Sequence, residues 1–69
     1  NVASEINLIG KNVEEALHEL EKYLDDALLA GLGEIRIVHG KGSGILRGAV
    51  GRFLTSQRAV SKWDFAPQS

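Results

Sequence analysis

The chain has 69 residues, 43% of them apolar, with no cysteine and a formal net charge of −1. That length holds one domain with a small core and marginal stability. The missing cysteines exclude a disulfide framework and a thiolate metal site, which fits a reducing cytoplasm, and apolar runs of four residues or fewer exclude a membrane span and a signal-peptide core.

Residues Glu5-Ile6-Asn7-Leu8-Ile9 alternate as a short strand, with Ile6 and Leu8 on one face and Asn7 and Ile9 on the other. Gly10 ends it. Asn12 with Glu15 three positions on reads as a capping box, and Val13, Ala16, Leu17, Leu20, Leu24, Ala27 and Leu28 then recur at helical spacing to about Ala30. Gly31 and Gly33 close this first helix. Glu34 to Val38 is a second strand, β-branched and bounded by glycines. After the loop His39-Gly40-Lys41-Gly42-Ser43-Gly44, the residues Leu46, Ala49, Val50, Phe53 and Leu54 mark a second helix with Ser43 or Gly44 as its N-cap. Ala59 to Phe65 alternates again as a third strand, with Trp63 and Phe65 on one side as core, and Pro67 stops it.

The order strand, helix, strand, helix, strand implies parallel neighbours and an α/β fold, a two-layer α+β sandwich with both helices on one sheet face. The open face would show Asn7, Ile9, Arg36 and Val38. Ile9 and Val38 are apolar for an open face, which points to cover by a missing segment or a partner. His18 falls on the polar side of the first helix, as a solvated side chain.

The charge is unevenly divided. Residues 1–34 carry two lysines against eight carboxylates, net −6, whereas residues 35–69 carry six basic side chains against Asp64, net +5. Such asymmetry marks an anionic partner, or simply an acidic solvated helix followed by a basic segment.

The loop after the second strand supplies a motif. Ligands of open α/β sheets bind beyond the carboxyl ends of the strands. Gly40, Gly42 and Gly44 at alternate positions let backbone N–H groups turn toward an anion, and the positive end of the following helix dipole reaches the same space. Lys41 and Arg47 add full charges, so a phosphate is the natural occupant. Neither a Walker loop nor a dinucleotide fingerprint has this spacing, which leaves a phosphodiester backbone. His39, beside the nest, can serve as general acid or base on a bound phosphate, or can merely hydrogen-bond the loop backbone. Gly48 and Gly51 within the second helix can form a smooth basic strip with Arg47, Arg52 and Arg58, or can be tolerated surface variation.

The run His39-Gly40-Lys41-Gly42-Ser43-Gly44-Ile45-Leu46-Arg47 closely resembles the H-G-x-G-T-G-x-L-R signature of the Small MutS-Related (Smr) domain, with Ser43 in place of the usual Thr. Upstream, Ile6 to Gly10 sits where that family has its L-D-L-[HR]-G strand, Val13 to Leu17 matches its V-E-E-A helix start, and Val60 to Pro67 matches its third strand. The likeness covers a single domain over residues 4–69 and is strongest to the Smr domain that closes the second bacterial MutS paralogue.

The resemblance implies a fold similar to the C-terminal domain of translation initiation factor three and metal-assisted (Mg²⁺ or Mn²⁺) endonuclease activity on DNA, branched DNA included. It also implies a larger recombination or repair protein with its ATPase portion upstream. Some relatives act on RNA, and ribosome association belongs to the same family picture. The family's loop histidine transfers to His39. Its aspartate position is Asn7, kept as a catalytic candidate, and its basic position is Ile9. Gly40, Lys41, Gly42, Ser43, Gly44 and Arg47 are the phosphate-binding candidates.

An amide at Asn7 can ligate a divalent ion only without charge, and Ile9 offers no phosphate contact. A binding module for nucleic acid or ribosome, without cleavage, is therefore the alternative, and a protein-interaction domain using the Ile9/Val38 face is a third reading. The family pattern continues with a glycine-rich turn and a final strand, so a domain truncated at its C-terminus is expected.

Overall fold

A computed structural model describes residues 1–40 and 44–66. Strand β1 (Glu5–Asn7) leads to helix α1 (Val13–Leu29), then strand β2 (Arg36–Val38) and helix α2 (Ile45–Ser56). β1 and β2 pair in parallel with Glu5 opposite Arg36, Ile6 opposite Ile37 and Asn7 opposite Val38. Leu8 N–H extends the ladder to Val38 O at 2.7 Å.

α1 begins where the sequence places its cap. Asn12 Oδ1 accepts from Glu15 N–H at 2.8 Å and Glu15 Oε1 accepts from Asn12 N–H at 3.2 Å, closing both halves of the box. Asn12→Ala leaves the Glu15 N–H without its side-chain acceptor, and a loss of about 0.5–2 kcal/mol in urea-unfolding stability is expected. Ala16, Leu20 and Ala27 form the buried stripe of α1, while His18 is exposed as expected.

Burial at the centre follows from periodicity. Leu8, Ala16, Leu20, Val50 and Leu54 make the core, with Ile6 and Ile37 from the inner sheet face and Leu17, Leu24, Leu46, Phe53 and Val60 packed around it. Both helices therefore cover one sheet face, and Glu5, Asn7 and Arg36 stand exposed on the other. Tyr23 O–H donates to Ala3 O and ties the first residues to α1. Burial, and after it the negative charge of Glu5, raise the Tyr23 phenol above its ordinary range, so it remains a proton donor at neutral pH. No helix among the described residues is long and apolar enough to cross a membrane.

Two expectations are corrected. β1 stops at Asn7, because Asn7 Oδ1 accepts from Ile9 N–H at 2.9 Å and closes a turn that ends the pairing. The segment 59–65, expected as a third strand, forms no ladder among the described residues: the sheet has two strands. Side chains hold this segment to α2 instead. The Trp63 indole lies against Gly51 and donates from Nε1 to Thr55 Oγ1 at 3.2 Å, and a groove lined by Ile37, Val50, Leu54 and Val60 separates the segment from the free edge of β2. Trp63 and Phe65 are accordingly 36% and 42% exposed rather than core.

Candidate functional site

Because the two strands run parallel, their carboxyl ends lie side by side, and the turn after each feeds a helix amino terminus into the same region. A cleft opens there, lined by Ile9 to Val13 from the first turn and by His39, Gly40 and Gly44 to Arg47 from the second.

The two helix ends differ in what they can accept. α1 is closed by its own capping box and carries Glu14 and Glu15 in its first turn, so an anion there meets occupied donors and negative charge. α2 has Gly44 as N-cap, with φ 87°, no side-chain cap bond and no acidic residue in its first turn. Its first helical bond runs from Gly48 N–H to Gly44 O at 2.9 Å, which leaves the N–H groups of Ile45, Leu46 and Arg47 facing out of the helix end. By these two features the α2 end would favour an anion over the α1 end.

Charge balance supports the same end. Among the described residues the ion pairs are Lys11 with Glu19 at 3.1 Å and Arg36 with Glu5 at 3.9 Å. Lys11 lines the cleft already neutralised. Arg47 lines it with no carboxylate against it, its Cζ 3.7 Å from the centroid of Phe65.

His39 is half-buried, and its Nδ1 lies 2.8 Å from Gly40 O. A carbonyl oxygen only accepts, so Nδ1 carries the proton and the neutral ring keeps its lone pair on Nε2. The expected hydrogen bond to the loop backbone is present, and it fixes the tautomer with Nε2 as the unprotonated nitrogen. Gly40 has φ 78°, and a Cβ there would meet Ile9 Cγ1 at 3.4 Å, so only glycine fits without strain.

Of the residues singled out in the sequence, the cleft gathers His39, Gly40, Gly44 and Arg47. Lys41, Gly42 and Ser43 lie outside the described residues. Asn7 does not line the cleft: its side chain turns onto Ile9 N–H, though its register partner Val38 directly precedes His39. The described residues hold no group of three His, Cys, Asp or Glu side chains placed for a metal ion. The Asn7 amide, which accepts from Ile9 N–H, is an uncharged donor, so the described residues supply no charged donor set for a resident Mg²⁺ or Mn²⁺ at this cleft.

Sequence reasoning missed the aromatic pair at the rim. Phe65 sits edge to face with His39, ring centroids 6.4 Å apart and planes at 84°. The two interior glycines of α2 were the available signal. Gly51 seats the Trp63 ring, and a Cβ at Gly48 would lie 3.4 Å from an Arg52 guanidinium nitrogen, so Gly48 leaves room for that side chain to lie back along the helix.

Comparison with known proteins follows this geometry. The family model described as the Smr domain matches residues 6–69. The chain is 48% identical over 66 residues to the Endonuclease MutS2 of Finegoldia magna and 54% identical over 63 residues to that of Agathobacter rectalis, covering 96% and 91% of this chain. It spans only 8% of the length of either relative. The crystal structure of the Smr domain of Thermus thermophilus MutS2 superposes with a TM-score of 0.91 at 38% identity, covering 94% of this chain and 81% of that one.

Proposed function

We propose that this chain, which belongs to the Smr domain family, binds the phosphodiester backbone of DNA at the amino-terminal end of α2 and hydrolyses it there as one domain of a larger MutS-type protein. The observation that carries this reading is the pairing, among the described residues, of a helix end without side-chain cap or acidic first turn with a histidine whose Nδ1 is engaged by Gly40 O, leaving Nε2 as the acceptor.

In this reading the N–H groups of Ile45, Leu46 and Arg47 and the Arg47 guanidinium hold the non-bridging oxygens, where negative charge grows during attack at phosphorus. Nε2 of His39 takes a proton from the attacking water or, once protonated, gives one to the departing oxygen. Divalent ions enter in this reading as counter-ions of the substrate phosphates, since the described residues group no carboxylates to hold one.

Asn7 favours a second reading, a nucleic-acid-binding module without cleavage. The uncharged amide is spent on Ile9 N–H, and Ile9 presents no charge to the cleft. Supercoiled plasmid incubated with the protein in Mg²⁺ or Mn²⁺ separates the two. Conversion to open circles supports hydrolysis; salt-sensitive binding without nicking supports the binding module, as would gain of nicking by Asn7→Asp. Parallel titrations with duplex DNA, structured RNA and ribosomes identify the polymer bound.

Arg47→Ala is expected to weaken duplex binding about fivefold and to reduce the slope of log affinity against log salt by about one, the signature of one lost phosphate contact. Fluorescence anisotropy across a salt series measures both quantities.

A further inference from the structure

An arginine that holds a phosphate and a histidine placed beside it for proton transfer each need something to fix the side chain. Arg47 is exposed on the first turn of its helix with no carboxylate beside it among the described residues, and such a side chain samples many rotamers. Among the described residues, His39 Nδ1 is held by the carbonyl of its own neighbour.

We propose that Phe65 is the positioning residue for both, a single ring that holds Arg47 and His39 at the cleft; the inference rests on the phosphate reading above. At 3.7 Å the guanidinium lies over the Phe65 ring at stacking distance. Stacking uses the π face and leaves the N–H donors at the guanidinium edge free for a phosphate. His39 meets the same ring edge to face, so the imidazole plane is set by a second contact besides Gly40 O.

Phe65 is itself anchored. Trp63 meets it edge to face, centroids 5.3 Å apart with planes at 86°. The Trp63 indole is bonded to Thr55 Oγ1, and it rests on Gly51 so closely that a Cβ there would stand 3.0 Å from Cη2. An anchor therefore runs from mid-α2 through two aromatic rings back to the start of the same helix. It accounts for a glycine inside a helix, for two aromatic side chains left partly in solvent, and for the failure of segment 59–65 to pair with β2.

The test compares Phe65→Leu with Phe65→Tyr in the otherwise unaltered chain. Long-range ¹H–¹⁵N spectra of the His39 imidazole, in protein free of ligand, report its tautomer; anisotropy with a fluorescent duplex reports phosphate affinity. Phe65→Leu is expected to move His39 from the Nδ1–H form toward a mixture and to weaken duplex binding about fivefold, while Phe65→Tyr keeps both near the original values. Gly51→Ala, which displaces Trp63 without touching the site, is expected to shift both readouts in the same direction.

Unchanged His39 spectra and undiminished affinity in Phe65→Leu would overturn the proposal, as would failure of Phe65→Tyr to preserve them. A chain that binds no duplex, yet whose His39 tautomer still responds to Phe65→Leu, keeps the positioning role and overturns the phosphate reading instead.

Discussion

His39→Ala is expected to lower plasmid nicking by about 10²–10⁴-fold, the range over which a positioned acid or base accelerates proton transfer. The fold should survive this change. His39 is only half-buried, its single hydrogen bond reaches the next carbonyl along the chain, and it lies outside the core cluster of Leu8, Ala16, Leu20, Val50 and Leu54. Duplex affinity should change little, because the charge and the N–H donors that hold the phosphate belong to α2. The paired measurement is a nicking time course and an anisotropy titration on the same preparation. A fall in nicking with affinity retained assigns His39 to chemistry, whereas equal loss of both makes it a binding residue.

Leu20→Ala is expected to have the largest effect on stability. Leu20 is completely buried on the inner stripe of α1, where it shares the core with Leu8, Ala16 and, from α2, Val50 and Leu54. Truncating such a leucine removes transfer free energy and leaves a cavity, costing about 2–5 kcal/mol. A domain this small buries a limited share of its surface, and native stabilities near the lower end of about 5–15 kcal/mol leave little margin. Urea unfolding followed by Trp63 fluorescence should show the midpoint falling toward zero denaturant. The exposed Leu29, at 88% accessibility, is the control, with Leu29→Ala expected within about 0.5 kcal/mol of the unaltered chain.

Local signals account for what was legible in the sequence. The Asn12–Glu15 box joins residues three apart, so no tertiary contact is needed to place the start of α1. The alternation of Ile6 with Leu8 correctly gave the inner sheet face. The cleft followed from chain order, since parallel strands put both following turns at one end, and His39, Gly40, Gly44 and Arg47 lie there.

Segment 59–65 was not legible, because alternating Trp63 and Phe65 describe equally a strand with one apolar side and a segment with two aromatic anchors. The deciding contact, Trp63 on Gly51, joins residues twelve apart across an irregular turn. A glycine inside a helix costs about 1 kcal/mol relative to alanine, and at Gly51 a tertiary contact offsets that cost. The −6 and +5 halves of the sequence also find a place: α1 presents carboxylates to solvent, and Arg47 stands at the end of α2 proposed to take the anion.

The central claim is that an anion binds at the amino terminus of α2 and not at that of α1. Titrating ¹⁵N-labelled protein with a short DNA duplex and following backbone amide shifts tests it most directly. The account predicts the largest shifts at Ile45, Leu46 and Arg47 and at His39 and Gly40, with the first-turn amides of α1, Val13 to Glu15, moving little; shifts centred on α1, or confined to Arg52, Arg58 and Lys62, would contradict it.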